Sequence, residues 1–467
     1  MASLSLSELV FLLFESDSTP LHVSGLMLFR PPVDQPDFAT TLHQQMVHAG
    51  PVAPPFDRVI TSNRFGLPKW RNAEEVELGY HVRLSKLPKP GDNDQLLELA
   101  ARIHSYCLDR SRPLWELWII DGLASGEVAI VVKFHHALTD GMRAVQLLER
   151  SFAVSEQRGH LVPFWQLGDT ISDDNEEEFS SVMSVLQPSF WRRQLKVGFD
   201  SARLLAMASA GRLNLIDTPI KLPFSAPRTP FNHLAPGRAK QVTLASLSDA
   251  RVNRLALLTG AQSDDVILTL CDMSLHRYLQ QHNWQESDPL VAMVPLRDHD
   301  TGARLHMISV GLVELGGAWI DPLERLAQIQ RTHQGIRRQT NRTSLKAYNR
   351  YSAVINVLSL MVARFDDQQY LPPAANMLIT EVDASHTSLT FQGAELVATY
   401  PLSLLMPGQT LNMTLLRYGG QLHFGLVCCR HSLPGFEAFG DYLEQSLDEL
   451  EATVIGNLSR RLNSLAS

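Results

Sequence analysis

This chain of 467 residues is short of several features, and each shortage removes a class of protein. Cysteine is down to four residues, Cys107, Cys271, Cys428 and Cys429, which form no disulfide framework. All four are expected to be reduced thiols, with Cys428 and Cys429 on opposite sides of a strand. No stretch reaches about 18 uninterrupted apolar residues, so a membrane-crossing helix is not expected. Leu9 to Phe14 is a short apolar run closed by Glu15 and Asp17 with no positive region ahead of it, which predicts neither a signal peptide nor a span. A surplus of cations is missing as well. The 41 Lys and Arg stand against 49 Asp and Glu, a formal net charge of -8, and this argues against nucleic acid as a partner. The chain also lacks HExxH, zinc-spaced cysteines and a GxSxG elbow, so neither a metal site nor a serine nucleophile is expected.

What is present is a globular pattern, with 45% hydrophobic and 19% charged residues. The length suits two domains of roughly 150 to 230 residues each. Short apolar runs alternate with helical patterns at Leu21 to Phe29, Gln95 to Leu108 and Trp115 to Asp121, an α/β or α+β signature. An acidic cluster comes next, from Gly168 to Ser181, then a passage holding Pro219, Pro223, Pro227, Pro230 and Pro236, read as an extended connector. The expected division is an N-terminal domain over 1–160, a loop, helix and proline-rich linker over 161–238, and a C-terminal domain over 239–467. In the last part Asp264 to Gln281 reads as a helix, Val291 to Pro295 as a buried strand, and Ala438 to Val454 as an amphipathic helix. Leu411 to Arg417 and Gln421 to Val427 flank Gly419-Gly420 as a hairpin. The apolar segments 204–216 and 353–365 read as buried helices, with contact to a membrane interface as the alternative.

The chemistry concentrates in Phe134-His135-His136-Ala137-Leu138-Thr139-Asp140-Gly141. Two imidazoles end the apolar run Val128 to Val132, a carboxylate stands four residues later, and the Asp-Gly pair turns the chain into the helical stretch Met142 to Arg150. Histidine, with an ordinary pKa of about 6.5, can act as a general base at neutral pH. Neighbours on an extended segment face opposite ways, so one imidazole is expected to do the work. The spacing HHxxxDG points to histidine-dependent acyl transfer.

With these residues in place, the chain resembles the bacterial wax ester synthase/acyl-CoA:diacylglycerol acyltransferase family from Leu4 to about Ala452. The likeness rests on Glu15-Ser16 with Thr19-Pro20-Leu21-His22-Val23, and on Leu108-Asp109-Arg110-Ser111-Arg112-Pro113-Leu114-Trp115-Glu116. It continues through HHxxxDG, Phe224-Ser225-Ala226-Pro227-Arg228-Thr229-Pro230, Tyr400-Pro401 and Leu411-Asn412. The resemblance implies two chloramphenicol-acetyltransferase-like domains with a tunnel between them. It implies an acyl-CoA-dependent O-acyltransferase that esterifies long-chain fatty alcohols, diacylglycerol or both, giving wax esters or triacylglycerol. Long-chain acyl-CoA would be a substrate, with no separate cofactor. His136 would be the general base, with His135 supporting it. Asp140 would hold the loop through a distant arginine, for which Arg297 is the candidate, and Gly141 would give room for the turn. Pro113, Leu114 and Trp115 would shape the fold or the tunnel wall. The protein would be cytoplasmic, alone or peripheral on the inner membrane face or on lipid inclusions.

Two departures stand out. Thr380-Glu381-Val382-Asp383-Ala384-Ser385 replaces the family's usual Ser-Asn-Val-Pro-Gly-Pro, and Asp264-Asp265 replaces its usual Asn-Asp. If the first segment lined the tunnel, Glu381 and Asp383 would repel the phosphates of coenzyme A. That leaves two alternatives: a superfamily acyltransferase for a smaller or more polar acceptor, or a catalytically silent lipid-binding paralogue.

Overall fold

The computed structural model describes residues 4, 6–62, 68–168, 224–233, 237–284, 288–295, 310–317, 320–342, 371–382, 384 and 388–466. Arg297, most of the acidic cluster, Asp383 and the apolar segments 204–216 and 353–365 lie outside these residues. The strands in chain order are β1 (His22–Arg30), β2 (Arg58–Ser62), β3 (Pro68–Asn72), β4 (Val82–Lys86), β5 (Trp115–Asp121), β6 (Val128–His135) and β7 (Lys240–Ser248). They continue with β8 (Val291–Pro295), β9 (Val310–Glu314), β10 (Met377–Val382), β11 (Thr390–Phe391), β12 (Ala394–Leu402), β13 (Leu411–Tyr418) and β14 (Gln421–Cys429). Two six-stranded sheets result, in the orders β11-β12-β1-β6-β5-β4 and β7-β14-β13-β10-β8-β9, each at the heart of one lobe. The fold is a mixed α/β two-lobed architecture.

In the first lobe, alternation along β6 sorts its side chains. Val128, Ile130, Val132 and Phe134 pack with helices α2 (Phe38–Val47) and α5 (Gly141–Arg158), while Ala129 and Val131 join a second cluster on the opposite face. That second cluster includes Leu96, Ala100 and Ile103 of α4 (Asn93–Ser105) together with Val242, Val427 and Cys429 of the other sheet, so it is the seam between the lobes. Helix α5 forms because Ala144, Leu147, Leu148, Ser151, Phe152 and Ser155 recur at helical spacing on one buried face. Asp140 caps its start, and Gly159 closes it in the left-handed region at φ 66.

The second lobe adheres closely to its sequence pattern. The helix expected from Asp264 runs Ser263–Gln281, with a capping box between Gln262 and Asp265. The expected hairpin turns at Gly419 and Gly420, both at positive φ (57 and 76) as a two-residue turn requires. Cys428 lies in the lobe's own core and Cys429 at the seam, on opposite faces of β14. The final helix is longer than expected and reaches Ala466.

Space departs from chain order at one place. β11 and β12 come some 150 residues after position 239, yet β12 pairs along β1 in the first sheet, Gly25 opposite Pro401. A division at 239 therefore omits an exchanged segment. Where β12 crosses β14, Gly425 has room for no side chain, because a Cβ there would fall on the Pro401 carbonyl.

Candidate active site

The paired histidines stand where β6 ends, and neighbouring strands hold their backbones. The His135 amide donates to the Leu114 carbonyl and the His136 amide to the Leu21 carbonyl, both at 3.0 Å. The segments just before β5 and β1 thus brace the two residues, which gives Pro113-Leu114-Trp115 and Thr19-Pro20-Leu21 a structural task. Trp115 is fully buried, stacked on His81 and Trp165, and donates from Nε1 to the Phe56 carbonyl at 2.9 Å. Pro113 and Leu114 are buried as well.

His135 turns toward Glu15, which stands directly after α1 (Leu6–Phe14). Its Nδ1 accepts the Ala137 amide at 3.0 Å, so its proton sits on Nε2, 3.3 Å from Glu15 Oε1. The Glu15 carboxylate also accepts the Leu21 amide at 3.2 Å and Arg110 Nη2 at 2.9 Å. Burial would raise the Glu15 pKa, but His135, Arg110 and the Leu21 amide outweigh it and hold the group below the ordinary carboxylate range. The sequence alone gives Glu15 and Arg110 no role. Both fall within motifs of the family, but 95 residues separate them, and only folding brings them together.

His136 is buried, and its Nε2 has no hydrogen-bond partner. With the proton on Nδ1, the unpartnered Nε2 can present its lone pair. Burial lowers its pKa to about 4; Asp140's carboxylate opposes that shift and His135 adds to it. The ordinary value of about 6.5 expected from the sequence is corrected accordingly: His136 is neutral at pH 7 but a weaker base than a free imidazole. Unpaired ring nitrogens also occur at His423, at His135, whose Nε2 lies 3.3 Å from Glu15, and at His22 and His81, the last two of which spend their other nitrogen on a backbone carbonyl at 2.7 Å. His136 differs in position, at the mouth of the turn and beside Asp140.

Asp140 accepts the Arg143 amide at 2.8 Å, which fixes the start of α5 beside the imidazole. Gly141 opens that helix. Among the described residues a Cβ there would meet nothing within 4 Å, so the turn does not demand glycine. Behind His135, at the seam, lies a buried polar cluster. His22 Nε2 donates to the His104 carbonyl at 2.7 Å, His104 Nδ1 accepts from Ser24, and Lys133 Nζ donates to Ile103 O at 2.8 Å and to Tyr106 O. Burial and the nearby Lys133 charge push the His104 pKa down to about 3, and burial pulls Lys133 to about 8.

Glu381 does not stand as a free charge. Arg417 donates to it from Nε at 2.8 Å and also binds Asp249 and Ser263, so the carboxylate is neutralised within the second lobe. Among the described residues no group of three or more His, Cys, Asp or Glu is placed to hold a metal ion, and no helix is long and apolar enough to cross a membrane. A small apolar cavity lies under α5, lined by Met27, Met46, Val132, Leu148, Phe152 and Phe391 among others, away from the histidine pair.

Comparison with known proteins agrees along the whole chain. Residues 4–267 match the model of the wax ester synthase/diacylglycerol acyltransferase catalytic domain, and residues 304–451 that of the C-terminal domain of the same family. A protein of Mycobacterium tuberculosis provisionally named a diacylglycerol O-acyltransferase is 34% identical over 95% of this chain and 98% of its own length. An Acinetobacter baylyi O-acyltransferase is 29% identical over 96% of each chain. The solved wax ester synthase/diacylglycerol acyltransferase of Marinobacter aquaeolei superposes with a TM-score of 0.77 at 27% identity, covering 97% of this chain and 100% of that one. The first condensation domain of a calcium-dependent antibiotic synthetase shares the fold at a TM-score of 0.58 and 13% identity.

Proposed function

Because this chain belongs to the wax ester synthase/diacylglycerol acyltransferase family and is an O-acyltransferase, we propose that it transfers the acyl group of a long-chain acyl-CoA to a fatty alcohol or diacylglycerol, with His136 as the base. The observation that carries this reading is the buried, unpartnered Nε2 of His136 at the end of β6. The acceptor hydroxyl gives its proton to that nitrogen while its oxygen attacks the thioester carbonyl. The carbon–sulfur bond then breaks, and the departing thiolate takes the proton back from the imidazolium. Ester and free coenzyme A result, and no covalent enzyme intermediate is needed. A positioned base of this kind contributes about 100- to 10,000-fold in rate.

The remaining residues support that base. Asp140 caps α5 and places negative charge beside the ring, and we assign Arg297 as its further partner. Glu15, Arg110 and His135 fix the backbone next to His136. The tunnel between the lobes and peripheral contact with a membrane or lipid inclusion from a cytoplasmic location belong to the same proposal. The reading with a smaller acceptor drew on the altered segment Thr380 to Ser385; of its two carboxylates Glu381 is taken up by Arg417, and Asp383 lies outside the described residues.

Purified protein given acyl-CoA with hexadecanol or diacylglycerol is expected to release free thiol. Absence of thiol above background with every alcohol would remove this reading.

A further inference from the structure

The ring of Phe11 on α1 lies flat against that of His136, with centroids 4.2 Å apart and planes inclined by 20°. Part of this placement is packing, since Phe11 leans against the small core below it. The residue of α1 that fills the core is Leu12, buried with Trp70, Leu108, Leu114 and Ala137. Phe11 is only partly buried, although the helix around it is firmly held. Glu8 accepts Trp70 Nε1 at 3.1 Å, Arg110 Nη2 donates to Leu12 O at 2.7 Å, and the Glu15 amide donates to Phe11 O at 3.2 Å. So α1 is fixed on both sides of Phe11.

Two neutral rings face to face gain little, because their negative π faces oppose each other. A cation over the same face is attracted by it. His136 is neutral before the reaction and cationic while it holds the proton, so the contact strengthens as the transition state forms. Only interactions of that kind accelerate a chemical step. We propose that Phe11 is a positioning residue that stabilises the imidazolium His136 becomes during acyl transfer, while its stacking leaves the in-plane Nε2 free for the acceptor hydroxyl. This inference rests on the assignment of His136 as the base.

The other groups acting on the ring are few. Asp140 from the start of α5 favours the cation, and the adjoining His135, backed by Glu15, disfavours it. Helix α1 supplies no charge of its own at this face; its contribution is the aromatic ring. Burial acts against the cation, since the imidazole is depressed to about 4, and the ring of Phe11 offsets part of that cost.

The test is a series at one position: Phe11→Trp, Phe11→Tyr, Phe11→Leu and Phe11→Met. Single-turnover ester formation and KM would be measured per folded molecule in rapid pH jumps from pH 7 to final values between about 2.5 and 8, with His136→Ala in parallel and thermal melts throughout. Rates are expected to track the strength of the aromatic face, with Trp and Tyr close to the parent. Leu and Met should be slower by about 2- to 30-fold at similar KM, their acid limbs displaced to lower pH by roughly 0.4 to 1.5 units. If Leu or Met matches the parent in rate and acid limb while His136→Ala is inactive, Phe11 is filler and the inference falls. A rate loss in Leu and Met with an unmoved acid limb also overturns it. If His136→Ala keeps its turnover, the assignment of the base has failed instead, and the inference with it.

Discussion

Each lobe buries histidines beside carboxylates, and the two arrangements are built to opposite ends. In the second lobe His333 Nδ1 meets Asp265 Oδ1 at 2.8 Å, and Asp265 Oδ2 accepts the Gln262 amide. Nearby, His276 Nε2 donates to Gly316 O at 3.0 Å, while Asp272 accepts the Gly316 amide and Arg325. These bonds tie the helices Ser263–Gln281 and Pro322–Arg342 to the segment after β9. In the first lobe the same ingredients, His135, Glu15 and Arg110, are joined by ion pairs, and beside them His136 has an unpartnered ring nitrogen, whereas the unpartnered atom of the second cluster is Asp272 Oδ1. A buried polar atom without a partner costs about 1 to 3 kcal/mol. The second-lobe atom is a carboxylate oxygen within a network that joins helices, while the first-lobe atom is a ring nitrogen at the end of β6, where the proposed reaction needs a base.

The contrast can be broken by substitution. His136→Ala should lower turnover about 100- to 10,000-fold with an unchanged melting temperature, whereas His333→Ala should lower the melting temperature and leave turnover per folded molecule intact. Arg325→Ala comes next. Leaving Asp272 buried without its partner should cost about 3 to 5 kcal/mol in a denaturant melt, again with activity retained in the folded fraction. A large loss of specific activity there would mean that the second cluster is part of the site.

Acid sharpens the comparison at the seam. His104 is held well below its unfolded value, so the unfolded chain takes up a proton that the folded chain refuses. Its contribution is undiminished above about pH 6.5 and is lost as pH falls from there toward about 3. Between pH 7 and pH 5 this histidine alone should cost roughly 2 kcal/mol, read as a falling midpoint in urea. His22, lowered for the same reason, adds in the same direction. Activity per folded molecule should hold through that range, because the His136 limb lies near 4. Glu15→Gln is the mildest change: it keeps the shape but removes the charge facing His135, and kcat should fall about 10-fold with little change in melting temperature.

Local patterns carried much of this molecule. Periodicity alone marked the helix at Ser263–Gln281, two glycines marked the hairpin at 419–420, and HHxxxDG marked the histidine pair. What stayed hidden depends on contacts far apart in the chain. No residue between Thr390 and Leu402 records which sheet it will join, since either lobe could satisfy its alternating pattern. Nothing in Leu9 to Phe14 announced that Phe11 would cover an imidazole 125 positions later. The lowered basicity of His136 was equally out of reach, because it comes from burial, which the motif does not encode.

The exchanged strand also sets a timetable for synthesis. β1 gains its outer neighbour only when Pro401 can reach Gly25. At ribosomal speeds of about 5 to 20 residues per second, the nascent chain waits roughly 20 to 75 s for that partner. Throughout that interval one side of β1 has unclaimed backbone groups that another emerging polypeptide could pair with. Expression of the first 160 residues alone would make that wait permanent, and aggregation is the expected fate of such a fragment.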